Sequence, residues 1–102
     1  MPQNNVKNNP HFLYQVLASL NTSEEIEALL ADLCTVKEIE QMDQRLRSAT
    51  LLMKGKTYTQ ITEETGISTV TLSRVSRALQ YGSGGYSKIL KDYINTSKES
   101  NQ

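Results

Sequence analysis

The chain contains few of the residues on which disulfides, metal sites and membrane segments depend. It has one cysteine and one histidine among 102 residues, so a disulfide within the chain is impossible and a structural zinc site has too few ligands. No apolar run approaches the ~18 residues of a membrane-spanning helix, and the first residues lack the apolar core of a signal peptide. We therefore expect a cytoplasmic protein that needs no metal and no cofactor.

Proline and β-strand patterns are also scarce. The prolines are confined to positions 2 and 10, so none interrupts a helix later in the chain. Apolar residues recur at spacings of three and four, which is the period of amphipathic helices. The sequence predicts an all-α fold, a single domain of six helices over residues 9–95, with flexible tails at residues 1–8 and 96–102.

The net charge of zero hides an uneven distribution. Residues 1–44 hold two lysines against seven acidic side chains, a net charge of −5, whereas residues 45–102 hold nine basic against four acidic side chains, a net charge of +5. A basic end is a candidate surface for a polyanion such as nucleic acid. Composition alone leaves open a chance clustering of solvated charges.

Capping signals and glycines mark where the helices begin and end. Thr22 with Glu25, and Thr35 with Glu38, have the spacing of capping boxes and predict the starts of the second and third helices. Gly55 is expected to end the third helix. The apolar residues of that helix are expected to face inward: Val36, Ile39, Met42, Leu46, Ala49 and Met53.

The end of the chain is predicted to form one more helix. The stretch GSGG at 82–85 predicts a flexible connector. Apolar residues then recur at helical spacing from Tyr86 to Ile94. We expect this stripe to belong to the core or to a dimer interface.

Residues 58–77 carry the most informative pattern, YTQITEETGISTVTLSRVSR. A helix-turn-helix unit needs a short helix, a tight turn with a residue at positive φ, and a second helix. Gly66 supplies such a turn without a steric penalty. Four apolar residues have the spacing to pack the two helices together: Ile61, Ile67, Leu72 and Val75. The sequence therefore predicts a helix-turn-helix over about residues 58–81.

The second helix of this unit has a polar face without carboxylates. The sequence has no aspartate or glutamate between Gly66 and Ile89, and a carboxylate on that face would repel phosphate. Arginine can bond a guanine edge, and the methyl groups of threonine or valine can touch that of thymine. Flanking basic and polar groups can bond phosphates. The predicted DNA-contacting residues are Ser68, Thr69, Val70, Ser73, Arg74 and Arg77 on the helix, with Lys54, Lys56, Tyr58 and Gln60 beside it.

Two classes of function fit this pattern. The first is a sequence-specific transcriptional regulator that binds double-stranded DNA as a homodimer. The second is a helical protein-interaction or structural module, which would not require two arginines on a face without acids. An enzyme is not expected, because candidate nucleophiles, bases and metal ligands do not cluster in the sequence.

From about residue 35 to residue 95 the chain resembles the Trp repressor family, in particular the small Trp-repressor-related proteins of Gram-positive bacteria. The segment TVKEIEQMDQRLRSATLLMKGKTYTQITEETGISTVTLSRVSRAL and the amphipathic helix after it carry the resemblance. It implies an intertwined homodimer whose helix-turn-helix units read successive major grooves. That docking geometry is taken from the Trp repressor, which is itself a standard example of it.

The resemblance also implies a possible effector pocket, and the sequence departs from the family there. Four residues stand where the Trp repressor has polar groups around bound tryptophan: Thr35, Arg45, Thr71 and Arg74. Val75 replaces a glycine that leaves room for the indole ring, and Ala78 replaces a serine that helps to bind the amino group. A lost hydrogen bond to a charged group costs about 1.5–3 kcal/mol. We expect L-tryptophan to bind weakly or not at all, and another small-molecule effector stays open.

The polar residues of this pocket also have a purely structural alternative. Thr35 is explained as the cap of the third helix. Arg45 is explained as the ion-pair partner of a nearby carboxylate. Neither alternative requires a bound ligand.

Overall fold

The protein is entirely helical over the part of the chain that the structure describes. The computed structural model describes residues 9–100, and it describes side chains as far as residue 96, so the predicted tail at residues 1–8 lies outside it. The α-helices are α1 (Phe12–Ala18), α2 (Ser23–Leu33), α3 (Val36–Met53), α4 (Tyr58–Thr65), α5 (Thr69–Tyr81) and α6 (Leu90–Ser100). A π-helical turn, Gly85–Ile89, precedes α6. The predicted all-α class with six α-helices is confirmed.

The chain divides into two compact units, Met1–Ile39 and Glu40–Gln102, whereas the sequence predicts one domain over residues 9–95. The buried apolar residues of the described chain all belong to the second unit: Ala49, Ile61, Ile67, Leu72, Val75 and Leu90. Neither α1 nor α2 contains a buried residue. Because residues 9–39 of the first unit include none that is buried, the hydrophobic core of the described chain belongs to the second unit.

Helices α2 and α3 begin at the predicted capping residues. The Thr22 hydroxyl accepts a hydrogen bond from the Glu25 backbone N–H at 3.1 Å, and the Glu25 carboxylate accepts one from the Asn21 N–H at 2.7 Å. At the start of α3, Thr35 and Glu38 bond each other reciprocally at 3.0 and 2.8 Å. These bonds satisfy N–H groups that a helix start leaves without partners.

Some apolar residues that were predicted to face inward are exposed in the single chain. Ala49 on α3 is fully buried, but on the same helix Val36 is 74% exposed and Leu46 is 47% exposed. The helical spacing of these residues is confirmed, whereas their predicted burial is wrong. Burial requires a packing partner, and the single chain does not supply one to Val36 or Leu46.

In the second unit, α4 and α5 form the predicted helix-turn-helix around a small core. Ile61 and Leu72 are fully buried. Gly66 ends α4 at φ +77°, a left-handed conformation that glycine adopts without strain. Ser68 begins α5 by accepting a hydrogen bond from the Thr71 N–H at 3.1 Å. The turn therefore has the local chemistry that the sequence predicts.

Hydrogen bonds attach this turn to α3. The Gln44 amide donates to the Thr65 backbone carbonyl at 3.1 Å. The buried Ser48 hydroxyl donates to the Thr65 hydroxyl at 3.4 Å, and that hydroxyl in turn donates to the Ile61 carbonyl at 2.8 Å. The Thr65 hydroxyl also accepts from the Ile67 N–H at 3.2 Å. One threonine thus links α3, the end of α4 and the turn that leads to α5.

The segment between α5 and α6 differs from the predicted connector and helix. Gly84 has φ +96°, and the chain then forms the π-helical turn before α6 begins at Leu90. Tyr86 and Ile94 pack against the core, with Leu90 between them. The backbone of α6 continues to Ser100, beyond the predicted end at residue 95, because no glycine or proline interrupts it. The predicted flexible tail at 96–102 is therefore helical as far as the described residues extend.

Replacing Gly82 by alanine should destabilise the end of α5. The Gly82 N–H donates to the Ala78 carbonyl at 2.9 Å, and a Cβ atom at position 82 would overlap that carbonyl oxygen. We expect Gly82→Ala to lower the free energy of unfolding by about 1–3 kcal/mol. Thermal denaturation followed by circular dichroism, at one protein concentration, measures this change.

Gly85→Ala is the matched control, because a Cβ atom there would meet only the Ser83 hydroxyl at 3.9 Å. It should change the melting temperature little. Equal melting temperatures for the two variants would contradict the proposed overlap.

Candidate nucleic-acid interface

Helix α5 presents one polar side to solvent and buries the other. At 3.6 residues per turn, its exposed residues share one side of the helix, which also includes Gln80 and Tyr81. Five of them are predicted DNA contacts: Thr69, Val70, Ser73, Arg74 and Arg77. The buried side carries Leu72 and Val75. All of the DNA-contacting residues predicted within α5 are therefore exposed together, and we call these five residues the α5 face.

Ser68 has a different position from the rest of the predicted contact set. It precedes α5, where its hydroxyl accepts from the Thr71 N–H and donates to the Thr71 hydroxyl at 3.0 Å. This hydroxyl therefore already has partners within the protein. Its observed role is to fix the start of α5.

The α5 face is positively charged. In the described part of the chain the one ion pair joins Arg47 to Asp43, at 2.6 Å on α3. The hydrogen bond from Arg47 to Asp43, together with the negative charge of Asp43, raises the pKa of the Arg47 guanidinium further above its ordinary value. Arg74 and Arg77 thus keep their guanidinium groups free of carboxylate partners, as binding to phosphate or to a guanine edge requires.

The flanking residues lie where the chain enters the helix-turn-helix. Lys54 and Lys56 are exposed in the turn after α3, on either side of Gly55, whose φ is +84°. Tyr58 is the first residue of α4. The Gln60 side-chain oxygen accepts from the Thr57 N–H at 2.9 Å in a capping box, so that oxygen already has a partner within the protein.

Four of the six predicted effector-pocket residues lie together. A cleft of about 320 Å³ is lined by Arg45, Thr71, Arg74, Val75 and Tyr86. In the described part of the chain Arg45 has no carboxylate partner, so its predicted ion pair does not form and Arg47 makes such a pair instead. The cleft is therefore bordered by two unpaired guanidinium groups.

The other two predicted pocket residues do not line this cleft. Thr35 caps α3 within the first unit. Ala78 lines a neighbouring apolar pocket of about 400 Å³ with Leu46, Leu90 and other residues. Tyr86 lines both this pocket and the cleft. The sequence predicts Tyr86 only as part of an apolar stripe, because the π-helical turn that places it has no local sequence signal beyond the preceding glycines.

Val75 lines the cleft but belongs to the buried core. It is 3% exposed, and it packs with the buried residues of the helix-turn-helix. Its side chain therefore occupies interior space that a glycine at this position would leave free.

An apolar groove of about 640 Å³ lies between α3, the end of α4 and α6. Its apolar lining includes Leu46, Ile89 and Tyr93, and all three remain exposed in the single chain. Ionisable side chains border it: Asp43, Arg47 and Glu64. Exposed apolar side chains grouped in this way, with ionisable residues at their border, are typical of a protein interface.

Neither a membrane-spanning helix nor a metal-binding cluster occurs among the described residues. None of the helices in this part of the chain is both long and apolar enough to cross a membrane. Over the same residues, no three metal-ligating side chains come close enough to hold an ion.

The sequence matches a known family over most of its length. The profile of the Trp repressor protein family matches residues 8–94. YerC, an uncharacterized protein of Bacillus subtilis, is 43% identical over 88 residues, which cover 86% of this chain and 85% of YerC. The resemblance inferred over residues 35–95 is thus confirmed, and it extends further toward the N-terminus.

Solved structures agree with the sequence match. A Trp repressor candidate from Staphylococcus aureus has a TM-score of 0.78 at 43% identity, covering 82% of this chain and 83% of that one. A TrpR-like protein from Eubacterium eligens has a TM-score of 0.79 at 38% identity, covering 81% of this chain and 86% of that one. With its helix-turn-helix and these similarities in sequence and backbone, the chain belongs to the Trp repressor family.

Proposed function

We propose that this protein is a sequence-specific DNA-binding transcriptional repressor that acts as a homodimer. The α5 face carries the proposal, because it combines two unpaired arginines with hydroxyl groups and contains no carboxylate. A buried core and the Thr65 hydrogen bonds hold this helix in place. Membership of a family of DNA-binding regulators supports the same conclusion.

Phosphate contacts would supply much of the affinity. Lys54, Lys56 and Tyr58 lie at the entrance to α4, beside the turn where the helix-turn-helix begins. Each phosphate that a cation neutralises releases condensed counterions, so binding should weaken as salt increases. These contacts orient the protein on the duplex without reading its sequence.

Base contacts would supply the specificity. In helix-turn-helix proteins the second helix lies in the major groove, and here that helix is α5. Arg77 is exposed on it and lines none of the clefts described above. Arg77 is therefore the arginine that we assign to a guanine edge. Arg74, in contrast, belongs to the α5 face and also lines the cleft beside Arg45.

A second copy of the chain would cover the apolar surface that the single chain leaves open. The groove beside α3 and α6 exposes Ile89 and Tyr93, and the helices of the first unit contain no buried residue. Small domains bury too little surface to leave such faces in water without cost. An intertwined dimer, as in the Trp repressor, would bury these faces and pair two α5 helices across a two-fold axis.

Repression would follow from occupancy of a promoter. A dimer bound in two successive major grooves covers DNA that RNA polymerase would otherwise contact. This step is an analogy with the family and does not derive from the geometry of the chain.

Duplexes selected from a random pool by the purified protein should converge on a palindrome. The half-sites should be about one DNA turn apart, because a two-fold dimer presents its recognition helices with that spacing. Sequencing of the enriched pool measures both the consensus and its symmetry. Light scattering on the same sample should give twice the mass of the chain.

Two results would contradict this proposal. Absence of enrichment, with DNA binding insensitive to salt, would favour a helical protein-interaction module. A mass that stays at that of one chain at every concentration would exclude the homodimer.

Arg77→Ala should weaken binding to the selected duplex by about 1–3 kcal/mol and relax its specificity, because a base contact is lost. Lys56→Ala is the contrasting variant. It should weaken binding to all duplexes alike and reduce the slope of log affinity against log salt by about one unit. Fluorescence anisotropy on selected and scrambled duplexes at several salt concentrations separates the two effects. An Arg77→Ala variant with unchanged affinity for every duplex would remove Arg77 from the reading surface.

L-Tryptophan should bind weakly or not at all. Val75 fills interior space with its side chain, and Ala78 provides no hydroxyl for the ligand's amino group. Isothermal titration with L-tryptophan should therefore release little heat, and the amino acid should not change affinity for the selected duplex. Binding at micromolar concentration would contradict the role that we assign to Val75.

A further inference from the structure

One aliphatic side chain stands out on the α5 face. Val70 lies in the first turn of α5 and is 66% exposed. The other members of the face carry hydroxyl or guanidinium groups: Thr69, Ser73, Arg74 and Arg77. Val70 is thus the one purely apolar residue on a surface whose other members suit DNA.

The local structure holds the Val70 side chain in a defined position. The Ser68 cap fixes the start of the helix two residues before Val70, and Leu72 anchors the same turn in the core. A β-branched side chain in a helix has one strongly preferred rotamer. The two methyl groups of Val70 are therefore presented outward with little freedom to move.

Folding of the chain does not require valine at this position. Val70 is absent from the buried core and from the residues packed against it. In an exposed helical position valine is a poorer helix former than alanine. The fold therefore gains nothing from this residue that alanine would not supply.

We propose that Val70 recognises the 5-methyl group of a thymine in each half-site, an inference that rests on the DNA-binding function proposed above. The thymine methyl is the distinctive apolar group that base pairs present in the major groove. The first turn of a recognition helix contains the residues that reach base edges. Val70 meets both requirements, because its side chain is apolar and it lies in the first turn of α5.

Val70 and Arg77 would read different positions of the half-site. They are seven residues apart, so they lie on the same side of α5 with about 10 Å of helix between them. Ser73 lies between these two residues on the same face. The thymine contact is therefore a separate determinant from the guanine contact of Arg77.

The test is a methyl-deletion scan of the duplex enriched by the wild-type protein. Each thymine is replaced in turn by uracil, which pairs identically but lacks the 5-methyl group. One symmetry-related pair of replacements should weaken wild-type binding by about fourfold per half-site, the equivalent of one buried methylene. Val70→Ala should bind the unmodified duplex less tightly and should lose this sensitivity to uracil.

Ser73→Ala serves as the matched control on the same face. It should retain the uracil sensitivity of the wild type, because it leaves Val70 in place. Circular dichroism should give Val70→Ala a melting temperature no lower than that of the wild type, so that weaker binding cannot arise from unfolding.

The outcomes separate this inference from the function on which it rests. Enrichment of a duplex in which no thymine shows Val70-dependent sensitivity would overturn the methyl contact and leave the DNA-binding function intact. An equal loss in the wild type and in Val70→Ala at the same thymine would also overturn it. Failure to enrich any duplex would overturn both together.

Discussion

The packing at the turn between α4 and α5 is the constraint on which the rest of the second unit depends. Gly66 adopts a left-handed conformation there, and Ile61 and Leu72 are fully buried on either side of it. The Thr65 hydroxyl bonds the Ile61 carbonyl and the Ile67 N–H, and Ser48 of α3 bonds Thr65 in turn. Because these groups are satisfied inside the protein, they fix the direction of α5 without help from its exposed residues.

This arrangement places the residues that stabilise the fold and the residues proposed to bind DNA on opposite sides of α5. The buried side of α5 holds the aliphatic residues of the core, and its exposed side carries the hydroxyl and guanidinium groups. If α5 reads DNA as proposed, substitutions on its exposed side would change DNA preference at little cost in stability, since surface positions outside caps and cores tolerate change. Val75 illustrates the opposite case, because it contributes to the core at a position where the Trp repressor keeps a glycine beside its ligand.

The first unit and the apolar groove both expose apolar side chains that lack a packing partner in the single chain. Helices α1 and α2 have well-formed caps, yet they contain no buried residue. Val36 and Leu46 repeat this pattern on α3, with helical spacing but exposed side chains. The sequence encodes these apolar stripes by their period, whereas burial depends on what packs against them. In the proposed homodimer, a second chain would pack against these stripes.

Local features of this protein were set by its sequence alone. The capping pairs at Thr22 and Thr35, the turn at Gly66 and the acid-free side of α5 each depend on residues within a few positions of one another. The all-α class and the family follow from such local signals. The start of the last helix differs from the prediction, because helical spacing of apolar residues does not distinguish the π-helical turn before Leu90 from an α-helix.

The composition of the cleft beside Arg45 and Arg74 was decided only by the tertiary structure. Tyr86 joins Arg45 and Arg74 in it, whereas Ala78 lines a separate pocket. Asp43 pairs with Arg47 four residues along α3, which leaves Arg45 beside the cleft. These arrangements bring together residues far apart in the chain. Spacing within one helix predicts which side chains share a face, but the path of the backbone between helices determines which faces meet.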